Sequence, residues 1–418
     1  MNNFGIDVIE TKLKSGLKTI LLKTPGYKSK CAYMVAPIGS RIHPLRIDGV
    51  DIPTGIAHFL EHRLFDTKYG DAFELLSRIG CDSNAFTTYD FTCYYFNCTE
   101  NLLEGIQILF EMTTNLSFGP EQVENEKSII VQEKKMKRDH PSSRLSEGLL
   151  ENLFVNDGLN TEIIGNEKDI NSTTLEHLKL VFESFYNVNE LTLIVVGDLD
   201  NKFISKLNRL KINNQVYKHK LEFKKIEEPK EVNIDYRHTS MDIPVPMVNV
   251  GAKLPLSIRE KFKMNLTEFN ALLLITESLL FSDSGKLCKS LREKEVTQTS
   301  VLGGFINCKD YAIMTIETST KNPNPFIKEI KWFFNNMEKY ISKDIFERTK
   351  KYLLGVSISN LSLPDSVGMS YIFDYGISSN LFERMNTFTS IKYKDVLKLI
   401  NEMKLVIPSV HVISKKGI

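Results

Sequence analysis

The chain has 418 residues, of which 42% are hydrophobic and 25% charged, with a formal net charge of +1. That length exceeds one ordinary core and predicts two domains of about 200 residues each. The balanced charge gives no footing for nucleic acid or an anionic membrane surface, and no stretch approaches the roughly 20 apolar residues of a membrane span.

The N-terminus, Met1-Asn2-Asn3-Phe4, lacks the basic and apolar regions of a secretory leader. Six scattered cysteines (Cys31, Cys81, Cys93, Cys98, Cys288, Cys308) show no Cys-x-x-Cys spacing. Reduced, mostly buried thiols and a cytoplasmic location are therefore expected.

Residues 7–23 alternate around a Lys14-Ser15-Gly16 turn and predict a hairpin, followed by a strand at 31–35. A helix is expected from Ile56 to Phe65, with Thr54 as its N-cap and Ile56, Phe59, Leu60, Leu64 and Phe65 as its apolar face. Helix 71–79 stops at Gly80, and the aromatic run 83–96 predicts strands joined near Tyr89-Asp90. Helices follow at 101–115, 120–137 and 142–155. A buried strand covers Leu191–Gly197. The stretch 212–235 is rich in lysine and glutamate and contains Pro229. It separates an N-terminal domain (1–215) from a C-terminal domain (236–418) through a linker at 216–235. The second half repeats the style of the first, with strands near 246–253, 298–304, 310–317 and 408–413. Its helices fall at 266–282, 284–294, 324–341 and 345–358. Without a regular βαβ alternation, two similar α+β domains are expected rather than a doubly wound sheet.

The chemistry concentrates in His58-Phe59-Leu60-Glu61-His62. On a helix the two histidines, four apart, leave from one face, and Glu61 shares that side. Two imidazoles and a nearby carboxylate suit a catalytic zinc, and His-x-x-Glu-His is the inverted zincin signature. A third protein ligand is still needed. Glu126 and Glu133, seven apart, emerge on one face of the helix 120–137. Glu133 is the candidate ligand and Glu126 the outer carboxylate that orients a histidine. The same pattern also describes a solvated helix with many glutamates.

His-x-x-Glu-His followed about 70 residues later by Glu126-Lys127-Ser128-Ile129-Ile130-Val131-Gln132-Glu133 resembles the pitrilysin/insulinase family of zinc metallopeptidases. It is most similar to the two-chain processing peptidases. Asn84-Ala85-Phe86-Thr87, Val195-Val196-Gly197-Asp198 and Leu291-Arg292-Glu293-Lys294 fall in the order this resemblance requires. It implies two similar domains enclosing a chamber and one zinc per chain held by His58, His62 and Glu133. Glu61 would be the general base, and an edge strand at Asn84-Ala85 would pair with a peptide substrate. Zinc itself brings a bound water's pKa to about 7.

One departure matters. The family supplies an arginine and a tyrosine, seven apart, from the C-terminal domain to stabilise the oxyanion. Here Arg292 is present but Thr299 takes the tyrosine position. Losing one such donor costs on the order of a hundredfold in rate. A heterodimer with a related chain lacking the zinc motif is therefore expected ahead of a homodimer, in peptide processing or maturation. The alternative is an inert structural subunit of the same fold. Ser284-Gly285-Lys286 lacks the flanking residues of a phosphate loop.

Overall fold

Runs rich in β-branched and aromatic residues build one large sheet in each of two compact units. The computed structural model describes residues 4–42, 44–224, 226–297 and 299–415. Residues 1–3, Lys225 in the expected linker and Gln298 at the head of an expected strand lie outside the described residues.

Unit 1 comprises Met1–Lys134, Thr161–Lys225 and Ile358–Gly376. Its strands are β1 (Asp7–Lys12), β2 (Lys18–Lys23), β3 (Lys30–Ala36), the short β4 (Leu45–Ile47), β5 (Val50–Asp51), β6 (Asp66–Thr67) and β7 (Gly70–Asp71), then β8 (Asp82–Thr87), β9 (Thr92–Cys98), β10 (Thr192–Gly197) and β11 (Leu221–Phe223). Six of them form a sheet ordered β1-β2-β10-β3-β9-β8, which leaves β8 at an edge. The buried residues Ala32, Met34, Tyr94 and Phe96 share a core with α1 (Ile56–Arg63), α2 (Ala72–Arg78) and α3 (Leu102–Thr114). Tyr33, one residue out of phase with them, points to the opposite face and donates to the Asp365 carbonyl of the helix Pro364–Gly376 at 3.3 Å.

Unit 2 comprises Lys135–Asn160, Ile226–Ser357 and Ile377–Ile418. Its strands β12 (Tyr236–Ser240), β13 (Met247–Pro255), β14 (Leu302–Asn307), β15 (Tyr311–Ser319) and β16 (Ser409–Ser414) are ordered β12-β16-β13-β15-β14. This repeats the β2-β10-β3-β9-β8 portion of unit 1. In each, a parallel pair formed by the first and last strands (β2 with β10, β12 with β16) is followed by antiparallel neighbours. The similarity of style read from the two halves is thus a shared topology, in an α+β fold with mixed sheets.

The compact units change over between Lys225 and Ile226, inside the stretch 216–235, but two segments cross that division. Residues 135–160 cluster with unit 2, and 358–376 with unit 1. The reason is amphipathicity. Leu145, Leu149, Leu150 and Leu153 bury one side of the helix Pro141–Leu153 against β13 and β16. The late helix Pro364–Gly376 buries Val367, Tyr371 and Ile372 and packs on β3 and β10. Elsewhere the expected helix 324–341 breaks after Asn335, where a short 3-10 turn (Met337–Tyr340) takes over.

Candidate metal centre

The helix that carries His58 and His62 begins at a glycine, not at the expected threonine cap. Gly55 takes a left-handed φ of 79°, and α1 has no side-chain cap. A β-carbon at Gly55 would lie 2.3 Å from the Ile164 carbonyl oxygen, so both conformation and space demand glycine. Thr54 faces elsewhere: its hydroxyl donates to Asp169 at 2.6 Å and accepts from Asn166 Nδ2 at 3.1 Å. Ile56, Ala57, Phe59 and Leu60 are buried and seat the helix. His58 and His62 then project together, with ring centroids 4.6 Å apart.

Their partners come from α4 (Pro120–Asp139). Its buried stripe is Val123, Glu126, Ile130 and Lys134, two of which are charged. Glu126 and Glu133 lie on the side of the helix that meets the imidazoles, as their spacing predicts. His58 Nε2 is 3.6 Å from one Glu133 oxygen, and His62 Nε2 is 3.4 Å from the other. Donor atoms of the three residues fall within 4.8 Å of one another, the one such cluster found among the described residues. Ligands about 2.0–2.1 Å from a tetrahedral zinc stand about 3.4 Å from each other. The separations therefore fit a zinc ion. His58 Nδ1 is buried with no hydrogen-bond partner among the described residues.

Glu126, the expected outer carboxylate, lies between His62 and Arg63. One oxygen lies 2.9 Å from His62 Nδ1, and the other accepts from the Arg63 guanidinium. With the Nδ1 proton directed at Glu126, the Nε2 lone pair is free for a metal. Burial acts to lower the His62 pKa, but the hydrogen bonds to Glu126 and Glu133 outweigh it and raise it to about 9. Burial likewise acts against ionising Glu126, yet His62 and Arg63 hold its carboxyl below the usual range. Arg63 also bridges Asp66 and lies 5.8 Å from the Phe118 ring. Sequence reasoning passed over Arg63, because an arginine closing a helix looks like an ordinary solvated end.

Glu61, the expected base, receives a hydrogen bond from the Thr87 hydroxyl at 2.5 Å. Thr87 sits at the end of edge strand β8, which also carries Asn84 and Ala85. Thr87 and Ala85 share the face of β8 that meets α1, whereas Asn84 is exposed and its Oδ1 accepts from the Ala85 amide at 2.8 Å. The outer edge of β8, which has no strand partner among the described residues, thus lies on the same strand as the side chain that hydrogen-bonds Glu61. Arg292 belongs to unit 2, on the helix Lys286–Glu293, and pairs with Asp283 at 2.8 Å. Thr299 donates to the Ser319 carbonyl at 2.8 Å. The structure brings His58, His62, Glu133, Glu126 and Glu61 into one unit with Thr87 and Arg63, and places Arg292 in the other.

Two histidines one turn apart, a glutamate from a second helix and a further glutamate inside the motif turn define the inverted class of zinc peptidase site. The chain belongs to the insulinase family, peptidase family M16. Residues 27–167 match the model described as insulinase (peptidase family M16), and residues 172–353 match that of the M16 inactive domain. The uncharacterized zinc protease YmfH of Bacillus subtilis is 28% identical over 400 residues, covering 94% of this chain and 92% of its own. An uncharacterized zinc protease of Rickettsia felis is 25% identical over 421 residues, covering 96% and 95%. Among solved structures, a putative M16-like peptidase from Alicyclobacillus acidocaldarius superposes with a TM-score of 0.87 at 22% identity, covering 98% of each chain. A protease from Helicobacter pylori gives 0.83 at 21% identity, covering 98% of this chain and 99% of that one. These likenesses show the fold, which is that of two M16-like domains.

Proposed function

We propose that this chain is a zinc-dependent endopeptidase that cleaves peptides or unfolded segments, in peptide processing or maturation, together with a related chain lacking the His-x-x-Glu-His motif. The observation that carries this reading is the convergence of His58 Nε2, His62 Nε2 and the Glu133 carboxylate at tetrahedral-ligand spacing.

When bound, zinc supplies Lewis-acid polarisation of the scissile carbonyl and a water acidic enough to react near neutral pH. The chain supplies the rest. Glu61, oriented by Thr87, takes a proton from the attacking water and returns it to the leaving amine. The free edge of β8 offers backbone donors and acceptors to an extended peptide, which selects for unfolded segments over folded surfaces. Glu126 holds His62 in the tautomer that leaves Nε2 open.

The partner is supported by Thr299, whose short hydroxyl stands in the tyrosine position and is already committed to the Ser319 carbonyl. A related chain that carries the missing donor completes the oxyanion stabilisation. All six cysteines are buried, which supports a reducing, cytoplasmic setting.

The test is peptide cleavage by the zinc-loaded chain, alone and with related chains lacking the motif, read by mass spectrometry. The expected result is weak cleavage alone, strong cleavage with a partner, and loss of both in Glu61→Gln. Full activity alone would remove the partner. No cleavage in any combination would make the chain an inert subunit.

A further inference from the structure

Glu133 and the two histidines reach the site from helices far apart in sequence, so something must fix α4 against α1. The residue after Glu133 is Lys134, and its side chain is only 4% exposed. Its ammonium donates to the equally buried carboxylate of Glu162 and to the Gly165 carbonyl at 2.7 Å. The Glu162–Gly165 turn is closed by its own backbone bond, Gly165 N–H to the Glu162 carbonyl at 2.8 Å. This turn is also the surface on which α1 begins. A β-carbon on Gly55 would lie 2.3 Å from the Ile164 oxygen, and one on Gly165 would lie 2.6 Å from the Thr54 oxygen. The two glycine backbones are in direct contact. An unbroken path of packed and hydrogen-bonded groups therefore runs from Glu133 through Lys134 and the 162–165 turn to Gly55. His58 lies three residues further on.

We propose that Lys134 is a positioning residue of the metal centre, its ammonium tying the Glu133 helix to the turn that seats the histidine helix. This rests on the zinc reading above and deepens it. Burying a lysine and a glutamate is costly, and a pair of apolar residues would hold two helices together at least as well. What the ion pair adds is direction. An ammonium with three donors, held by a carboxylate and a carbonyl, fixes α4 along its axis and in rotation, the two freedoms on which the Glu133 oxygens depend.

Unit 2 provides a matched control. Lys253 and Glu228 form another buried pair, with side chains 4% and 3% exposed, outside the metal-binding unit. The experiment compares Lys134→Met/Glu162→Gln with Lys253→Met/Glu228→Gln in the full chain. It reads the zinc dissociation constant against a chelating dye and the melting temperature of each metal-free protein. Both pairs are expected to shift the melting temperature, but only the 134/162 variant should weaken zinc binding, by about 10- to 100-fold. Unchanged zinc affinity in that variant, or equal weakening in both, overturns the proposal. If the neutralised 134/162 pair does not fold, Glu162→Asp takes its place. It keeps both charges and shortens one arm by a methylene, and the same results decide. A wild-type chain that binds no zinc would overturn the zinc reading itself and this proposal with it, whereas a zinc-binding wild type beside an unaffected variant sinks this proposal alone.

Discussion

His62 Nδ1 lies 2.9 Å from the Glu126 carboxylate, while Glu133, two turns further along the same helix, faces the other ring nitrogen at 3.4 Å. One helix thus holds both sides of a single imidazole. Only Glu133 is in place to share a metal with it. Glu126→Gln keeps the shape but loses the anionic acceptor, so zinc affinity should fall about 10- to 100-fold with the fold intact. Competition with a chelating dye measures this, and wild-type affinity would deny Glu126 its orienting role.

Proton competition follows from the same contact. In the metal-free chain His62 is held protonated up to about pH 9, because Glu126 and Glu133 outweigh its burial. A ligand must be deprotonated, so zinc has to displace that proton. Apparent zinc affinity should therefore rise about tenfold per pH unit between pH 7 and 9 and level off above. Titration calorimetry in two buffers of different ionisation enthalpy should count about one proton released from His62. A flat profile would contradict this.

Glu61→Gln removes the base but leaves the three ligands. Zinc content should be unchanged and kcat/KM should fall about 10²- to 10⁴-fold. Thr87→Val removes the hydroxyl that orients Glu61, with an expected loss of about tenfold in kcat and little change in KM. If Thr87→Val raised KM alone, Thr87 would be contacting substrate instead.

Gly55→Ala should damage the site through the backbone. A left-handed alanine costs about 1–2 kcal/mol before the clash with the Ile164 oxygen is counted. The expected result is a loss of more than about 2 kcal/mol in urea unfolding, with weakened zinc binding. A neutral effect on both would show that α1 can start without its left-handed turn.

Unit 2 carries an acid-sensitive residue of its own. His411 is fully buried, with Nδ1 2.9 Å from the Leu145 carbonyl and Nε2 2.9 Å from the Thr239 hydroxyl. The ring fits because position 148 is glycine, where a β-carbon would lie 2.2 Å from it. Burial lowers its pKa to about 4 from 6.5. The neutral form is the one folded, so nothing is lost above pH 6.5. Below it the unfolded chain takes up a proton that the folded chain refuses, and up to about 3 kcal/mol disappears by pH 4. Fluorescence of the one tryptophan, Trp332 in unit 2, reports urea unfolding there. The His411→Gln variant should lose this contribution to the pH dependence. An identical profile in the variant would assign the acid loss to other groups.

The parts of the site that follow a period were legible in the sequence. His58, Glu61 and His62 share a helix face by spacing alone, as do Glu126 and Glu133. The β1–β2 hairpin and the β8–β9 pair showed in alternation and turn residues. What stayed hidden depends on contacts far along the chain. Lys134 sits in the charged run Glu133-Lys134-Lys135-Met136-Lys137, which looks solvated until Glu162 is brought against it. Thr54 has the chemistry of an N-cap, but Asp169, 115 residues later, captures its hydroxyl. The exchange of residues 135–160 and 358–376 between the units was invisible for the same reason, since an amphipathic helix does not announce which sheet it covers.

The most direct measurement is the zinc content of the purified chain by elemental analysis, with Glu133→Gln alongside. About one zinc per wild-type chain, lost or strongly reduced in the variant, is the expected result and fixes His58, His62 and Glu133 as the site. A wild-type chain that takes up no zinc even after reconstitution would contradict the account. The His-x-x-Glu-His helix would then be an inherited scaffold without a metal.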